Sequence, residues 1–581
     1  MTGRFTIAIV FCFHSLVTGG SAAQYQSNAE LAKDLKALAE KHTTMARLTS
    51  VAKSRAGHDV WLLQLGAGDK AELDKRPALL VIAGIEGNEL AGTHGVVSWA
   101  QGLAAKYAGN DERTRKLLDR KTIYIFPRVN ADAAEAFFEK PQVERTVSTL
   151  PVDDDHDGLI DEDGPDDLNG DGLITWMRIE DPEGEYILDP TDSRLLLKAD
   201  RARGEAGQWR YLIEGRDNDN DESWNEDGPG GVSFNRNFPY NYKFFAPNAG
   251  VHQISERETR ALADFIVAHP NIAMVFTFGA SDNLTQPPKA EAGGANKRPQ
   301  TDLQPDDLPF YRELGKAWRD TLGLKKELPA ASEPGTISDW MYFHRGRLSL
   351  GARPWTTALQ VELDKGAKPE GKKDEDQKDD AKPKEDPKKE EKKDDKKPDD
   401  RNQEERALLK WFDEHAKESF IPWRKIEHPD FPGKNVEVGG FAPFARSNPP
   451  QPLLDGLAEK HAVFLTQLAE KFPELRVRQT KVKSLGEGVF DITVQIENSG
   501  YLPTALAQGG VTREVHPTLV EIKLDDKSIL SGSRRAVLNA IEGSGGMREV
   551  RWVIHAPNTT KVTVNVRSEF AGSFDAEIEL K

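Results

Sequence analysis

Residues 79–89 read LLVIAGIEGNE, an apolar run followed by a glycine-containing turn that carries Glu86 and Glu89. A continuous apolar run of this length is typical of a strand buried on both faces of a sheet. We therefore predict a strand over residues 78–83. Side chains that follow such a strand lie at the carboxyl edge of the sheet, where α/β proteins place their active sites.

Strand and helix patterns alternate along the chain on both sides of this run. Periodic apolar residues predict helices over residues 28–42, 96–107, 256–269 and 404–412, and apolar runs predict strands over residues 60–65, 121–126 and 272–278. This alternation indicates an α/β domain with a largely parallel or mixed sheet. We assign residues 24–432 to it.

The 581-residue chain has a net charge of −17, which argues against nucleic acid or an anionic membrane as a partner. Residues 153–229 alone contain 25 Asp and Glu against 7 Lys and Arg. One acidic insert, residues 151–229, therefore accounts for the imbalance. A second insert, residues 367–400, consists mostly of Lys, Asp and Glu, and we expect a disordered loop because it has no apolar face to bury.

Oxygen-bearing side chains recur at alternate positions within the acidic insert. This spacing around a glycine turn suits Ca²⁺, which takes about six to eight oxygen ligands. A solvated acidic loop without metal is the alternative. The predicted calcium ligands are Asp153, Asp155, Asp157, Asp161, Asp167, Asn169, Asp171, Asp217, Asp219, Asp221 and Asn225.

Beyond residue 432 the pattern changes. Residues 433–473 are predicted to form a connector with a helix over residues 453–472, which places His461 on its apolar face. Residues 474–581 show short alternating segments separated by turns, which predict a small all-β sandwich of accessory character.

The first 23 residues have the features of a secretory signal peptide. Arg4 precedes an apolar run over residues 5–13, and small residues end the segment at Ala23. We predict a secreted or periplasmic protein whose mature chain begins at Gln24; a buried N-terminal strand is the alternative. The only cysteine, Cys12, lies within this segment, so no disulfide is expected.

Four segments, in the correct order, resemble motifs of the M14 family of metallocarboxypeptidases. Residues 79–89 resemble its first zinc motif, FPRVNAD at residues 126–132 and NRNF at residues 235–238 resemble two further motifs, and residues 338–363 resemble the stretch with its catalytic glutamate. The resemblance covers roughly residues 28–430. It implies a carboxypeptidase-like mixed-sheet fold.

The resemblance also implies a mechanism. In the family, two histidines and a glutamate hold Zn²⁺, a second glutamate acts as general base, and an Asn-Arg pair binds the C-terminal carboxylate of the substrate. On the matching positions, Glu89 is the metal-binding glutamate, Asn235 and Arg236 form the carboxylate clamp, and Glu362 is the base. Arg145 is the candidate for the arginine that stabilises the oxyanion.

The chain departs from the family at the metal. Glu86 stands where the first zinc histidine belongs, and residues 270–343 contain no histidine, although the second should end the strand over residues 272–278. Two hard carboxylates, Glu86 and Glu89, favour Mg²⁺, Mn²⁺ or Ca²⁺ over zinc. A Glu86 that faces solvent or pairs with an arginine is the alternative.

Two main functions follow from this departure. The first is a binding or scaffold protein that has lost its zinc site and keeps a pocket for C-terminal carboxylates of peptides or proteins. The second is an active carboxypeptidase whose altered metal site uses Glu86, Glu89 and a third ligand. A hydrolase or amidase acting on cell-wall peptides and a purely structural secreted protein remain alternatives.

Overall fold

The computed structural model describes residues 24–153, 158, 160–219, 222–225, 230–288, 300, 302–325, 327–328, 333–367 and 401–580. The predicted signal peptide, residues 368–400 of the lysine-rich insert, and the predicted calcium ligands Asp155, Asp157 and Asp221 lie outside these residues. Within them, no helix is both long enough and apolar enough to cross a membrane.

The strands are numbered along the chain. They are β1 (Ala46–Lys53), β2 (Asp59–Leu65), β3 (Ala78–Ile82), β4 (Thr122–Phe126), β5 (Trp176–Glu180), β6 (Tyr186–Leu188), β7 (Leu196–Lys198), β8 (Trp209–Ile213), β9 (Ile272–Phe278), β10 (Leu348–Ala352), β11 (Phe420–Ile426), β12 (Val436–Phe441), β13 (Leu475–Gly486), β14 (Val489–Asn498), β15 (Thr518–Ile522), β16 (Ile529–Ser531), β17 (Arg535–Leu538), β18 (Gly546–His555), β19 (Lys561–Ser568) and β20 (Gly572–Glu579).

The helices are numbered in the same way. They are α1 (Asn28–Lys41), α2 (Lys70–Leu73), α3 (Leu90–Ala108), α4 (Glu112–Leu118), α5 (Ala131–Glu135), α6 (Arg257–Ala268), α7 (Leu308–Leu322), α8 (Ile337–Asp339), α9 (Thr357–Ala367), α10 (Gln403–His415), α11 (Gln451–Ala469) and α12 (Ala507–Thr512). A 3-10 turn covers Phe234–Arg236, and a π-helical turn covers Trp340–His344.

A mixed six-stranded sheet with the order β1-β2-β4-β3-β9-β10 forms the centre of the described α/β domain. β4, β3, β9 and β10 are parallel to one another, whereas β2 pairs antiparallel with both β1 and β4. Every residue of β3, β4 and β9 is buried, which explains their continuous apolar runs. The predicted mixed-sheet α/β fold is confirmed, and the four predicted strands agree with the observed bounds to within one residue.

A second six-stranded sheet has the order β11-β12-β5-β8-β6-β7. The acidic insert supplies β5 to β8, and β12 joins them by pairing antiparallel with β5. The insert is therefore more than a set of loops, and the boundary that we placed at residue 432 falls between two paired strands, β11 and β12. The sequence pattern missed this sheet because its small apolar core leaves most strands only half-buried.

The C-terminal region contains two four-stranded antiparallel sheets, β13-β14-β18-β16 and β17-β15-β19-β20, whose inward residues share one core. It docks on the α/β domain through α12. The backbone N–H groups of Ala507 and Gln508 donate to the Asp307 carboxylate at 2.8 and 3.0 Å, and the Gln508 amide donates to the Phe343 carbonyl at 2.9 Å.

The loop after β3 is held by residues distant in sequence. The Asn448 side-chain oxygen accepts from the N–H groups of Leu90 and Ala91 at 2.8 and 3.2 Å and so caps α3. The Asn448 amide donates to the Asn88 carbonyl at 2.6 Å, and the Asn88 amide donates to Glu144 at 2.6 Å. Glu89, the residue before α3, makes no such side-chain cap itself.

Asn448→Ala should lower the free energy of unfolding by about 2 kcal/mol, because it removes a helix cap and leaves buried N–H groups without an acceptor. Chemical denaturation measures this loss. Asn448→Asp keeps an acceptor at the helix N-terminus and should lose less. Equal stability of the Ala variant and the wild type would contradict this role for Asn448.

His461 on α11 is buried and stacks on Trp318 at a centroid distance of 5.6 Å. Burial lowers the pKa of His461 to about 3. The pKa of a histidine in the unfolded chain is about 6.5. Between that pH and pH 3, the unfolded chain binds a proton that the folded chain does not, so stability is lost as the pH falls through this window. His461→Leu should therefore show a shallower fall in melting temperature between pH 6.5 and 4. His252→Leu, at an exposed histidine, should keep the wild-type slope.

Candidate functional site

The carboxyl ends of β3, β9 and β10 meet at one edge of the central sheet because these strands are parallel neighbours. β3 leads into the loop with Glu86 and Glu89, β9 into residues 279–282, and β10 into Arg353. Along the chain, β3 is followed by β4, which lies on one side of it in the sheet, and β9 is followed by β10, which lies on the opposite side. The strand order therefore reverses between β3 and β9. Ligands of open α/β sheets bind in the crevice at such a point.

Glu86 and Glu89 form a buried acidic pair at this edge, with 7% and 4% of their surfaces exposed. The Glu86 carboxylate accepts hydrogen bonds from the Asn235 side chain and the Ala280 backbone N–H. Burial raises the pKa of both glutamates, and the charge of Glu86 raises the pKa of Glu89 further. The interpretation in which Glu86 faces solvent is therefore wrong.

Arg353 and Asp282 complete the charged surroundings of the acidic pair. The positive charge of Arg353 lowers the pKa of both glutamates, although less than burial raises it. Asp282 is a negative neighbour of Glu89, and its own pKa is raised by burial despite hydrogen bonds from the N–H groups of Leu284, Thr285 and Arg353. The cluster thus contains three carboxyl groups beside one guanidinium.

The residues of the predicted carboxylate clamp lie beside this cluster. Asn235 is buried, and its side-chain oxygen accepts a hydrogen bond from the Ile337 N–H at 3.2 Å. Its side-chain amide donates a hydrogen bond to Glu86. The Arg236 side chain is 26% exposed and forms an ion pair with Glu333 at 3.5 Å. Glu333 also raises the pKa of Glu86, so Arg236, Glu333 and Glu86 lie near one another.

Two cavities share Asp282 of the cluster in their linings. One, of about 670 Å³, is lined by Glu333, Asp339, Tyr240 and Phe343 among others. The other, of about 730 Å³, is lined by Arg353 and Glu362.

Glu362 lines the cavity of about 730 Å³ together with Arg353, whereas Arg145 lies in other surroundings. Glu362 is on α9 rather than at the end of a strand, and it accepts a hydrogen bond from Lys365 at 2.7 Å. Arg145 donates to the Gly230 carbonyl at 3.0 Å, and its charged neighbours are Asp161, Glu139 and Asp132 rather than the acidic pair.

The side chains at this edge do not match the zinc site that the resemblance implies. Glu86 replaces one histidine, and β9 is followed by Gly279, which has no side chain to bind a metal. His269 precedes β9 at the amino end of the strand, and His94 lies on α3. No group of three His, Cys, Asp or Glu side chains among the described residues could hold a metal ion. The donor set does not fit tetrahedral zinc.

The described residues of the acidic insert use many of their carboxylates to hold backbone turns. Asp167 accepts from the N–H groups of Gly170, Asp171 and Gly172 at 2.8–3.1 Å. Five other predicted ligands also accept hydrogen bonds from backbone N–H groups: Asp153 from Gly158, Asp161 from Val152, Asn169 from Asp171, Asp171 from Leu173 and Asp217 from Glu222. The Asn225 side-chain amide donates to the Ile213 carbonyl, and Asp219 is half-buried.

Sequence reasoning missed Arg353, Asp282 and Glu333. Arg353 carries a weak signal, because it follows directly on an apolar run, LSLGA, that is a buried strand. Asp282 follows β9 after three residues and could have been found in the same way. Glu333 has no such signal, since its position depends on the ion pair with Arg236.

Comparison with known proteins finds similarity to family models in two parts of the chain. Residues 31–155 match the family model for zinc carboxypeptidases, and residues 474–579 match one described as a domain of unknown function (DUF8731). Carboxypeptidase D of Mus musculus is 29% identical over 126 residues, which are 22% of this chain and 9% of that protein. Carboxypeptidase Z of Mus musculus is 27% identical over 111 residues, which are 19% of this chain and 17% of that protein.

Among solved structures, that of thrombin activatable fibrinolysis inhibitor has a TM-score of 0.36 and 13% identity, and the alignment covers 57% of this chain and 66% of that one. The matched stretch of the curated relatives is a small part of their length. The family-model match over residues 31–155 includes the loop after β3 with the acidic pair. The match over residues 31–155 supports the resemblance of the α/β domain to the M14 family of zinc carboxypeptidases.

Proposed function

We propose that this chain is an exported binding protein of carboxypeptidase fold, which has lost the zinc site and recognises the C-terminal carboxylates of peptides. The observation that carries the proposal is the buried acidic pair beside a partly exposed Arg236. An arginine offers two parallel N–H donors to a carboxylate, which makes it suited to this ligand. Export is proposed on the features of residues 1–23.

The charge of the acidic pair supports the loss of ordinary hydrolysis. A metal held by two carboxylates in place of neutral imidazoles would be a weaker Lewis acid toward bound water. An active carboxypeptidase with an altered metal site remains the second candidate, because Glu362 and Asp282 line one cavity next to Arg353.

We propose two accessory roles for the rest of the chain. The acidic insert binds calcium, which would offset the mutual repulsion of its carboxylates. The C-terminal region is a β-sandwich accessory module, since its two sheets bury one common core.

Arg236→Ala should abolish binding of peptides with a free C-terminus, measured by isothermal titration calorimetry against the same peptides with an amidated C-terminus. The amidated peptides should bind weakly to both proteins. Arg551→Ala, at an exposed arginine paired with Asp491 on β14, is the matched control and should leave the affinity unchanged. Unchanged affinity in Arg236→Ala would overturn the clamp.

Glu333→Gln should tighten binding of the same peptides. The Glu333 carboxylate forms an ion pair with Arg236 and so competes with the carboxylate of the ligand. An exposed ion pair contributes up to about 1 kcal/mol, which corresponds to roughly twofold to fivefold in affinity. Weaker binding by this variant would show that Glu333 contacts the ligand instead.

Metal content separates the two candidate functions. Protein equilibrated with trace zinc and calcium, then dialysed and measured by plasma mass spectrometry, should retain calcium and no stoichiometric zinc. Stoichiometric zinc, with peptide hydrolysis that Glu362→Gln removes, would favour the active enzyme. Chelation of calcium by EGTA should lower the melting temperature, and a melting curve indifferent to EGTA would defeat the calcium proposal.

A further inference from the structure

Glu89 has a buried carboxylate oxygen, Oε2, without a hydrogen-bond partner. The residue is 4% exposed, so this oxygen is shielded from bulk water. A buried acceptor without a donor costs about 1–3 kcal/mol, and more when it is charged. The site is therefore built to receive a hydrogen-bond donor, and a cationic donor suits the surrounding carboxylates best.

The groups around the acidic pair define the charge of a ligand that suits it. Beside Glu89 are the carboxylates of Glu86 and Asp282, which favour a cation. Near Glu86 is the ion pair of Arg236 with Glu333, since the charge of Glu333 raises the pKa of Glu86. Asn235 links these groups, because it donates to Glu86 and directly precedes Arg236 in the same 3-10 turn. A ligand that spans them carries a positive and a negative group close together.

We propose that the site binds a free α-amino acid as its zwitterion, with the α-carboxylate on Arg236 and the α-ammonium on the acidic pair. The proposal rests on the carboxylate clamp proposed above and adds a requirement for a free α-amine. An ammonium group has three N–H donors. One of them can donate to Glu89 Oε2 and another to the Glu86 carboxylate. The ligand carboxylate displaces Glu333, whose side chain is 44% exposed and can turn into solvent.

An ammonium fits this cluster better than a metal ion. A hard divalent cation needs about six oxygen ligands, and no group of three His, Cys, Asp or Glu side chains among the described residues is arranged to hold one. An ammonium needs only two or three acceptors. The positive charge of Arg353 nearby reduces the net negative charge of the cluster and so favours a monovalent ligand over a divalent one.

The cavity of about 670 Å³ lies next to these groups, since Glu333 and Asp282 both line it. It provides room for the side chain of the amino acid. Its remaining walls include Tyr240 and Phe343, whose rings stack at a centroid distance of 4.2 Å.

The test is calorimetric titration of the full mature chain with each of the twenty protein amino acids. The best binder is then compared with its N-acetyl and carboxamide derivatives. We expect the free amino acid to bind roughly ten- to a hundredfold more tightly than either derivative, the difference that one charge-assisted hydrogen bond supplies.

Glu89→Gln tests the role of the acidic pair while keeping the shape of the side chain. It should weaken the free amino acid by a similar factor and leave the N-acetyl derivative nearly unchanged. Glu86→Gln is the second variant, in case Glu89→Gln fails to fold. Glu258→Gln, at a buried glutamate on α6 outside the site, is the matched control and should bind as the wild type does.

The outcomes separate this inference from the proposed function. Equal binding of the free and N-acetyl forms would overturn the zwitterion site while leaving the carboxylate clamp intact. Equal binding of the free and carboxamide forms would overturn the clamp as well. Binding by none of the twenty amino acids would overturn the zwitterion site. Titration with peptides would then test separately whether the carboxylate clamp binds peptide C-termini.

Discussion

The candidate site depends on one constraint, the parallel alignment of β3, β9 and β10. Parallel strands place their carboxyl ends at the same edge, so loops that are far apart in sequence contribute side chains to one crevice. The acidic pair, Asp282 and Arg353 come together for this reason alone. No local helix or turn could assemble them, because they follow three different strands separated by about 190 and 70 residues.

Burial decides the electrostatics of this crevice. Removing a carboxylate from water disfavours its charged form, and the hydrogen bonds from Asn235 and Ala280 offset only part of this effect at Glu86. At Glu89 the compensation is smaller still, since one oxygen has no partner. A neutral imidazole is easier to bury than a carboxylate, so a carboxylate at position 86 needs more compensation from its surroundings than an imidazole would.

The rest of the molecule supports the walls of the site. The C-terminal region contacts Asp307 and Phe343 through α12, and Asp307 accepts from the Tyr342 hydroxyl at 2.9 Å. Tyr342 and Phe343 both line the cavity of about 670 Å³, which Asp282 and Glu333 also line. On the other side, Asn448 and Glu144 hold the loop after β3. These contacts give the C-terminal region a structural role at the site without contributing charged groups to the acidic pair.

The sequence alone predicts the α/β class, four of the six strands of the central sheet and the resemblance to the M14 family, because buried strands are continuous apolar runs and the motifs follow them directly. It also predicted the acidic pair and the missing histidines. Only the tertiary structure placed Arg353 and Glu333 at the site, put Glu362 on a helix, and joined the acidic insert to β11 and β12 in a second sheet. The sequence contains little periodic signal for the long-range pairing of half-buried strands or for the direction of a side chain. Packing between distant segments decides both.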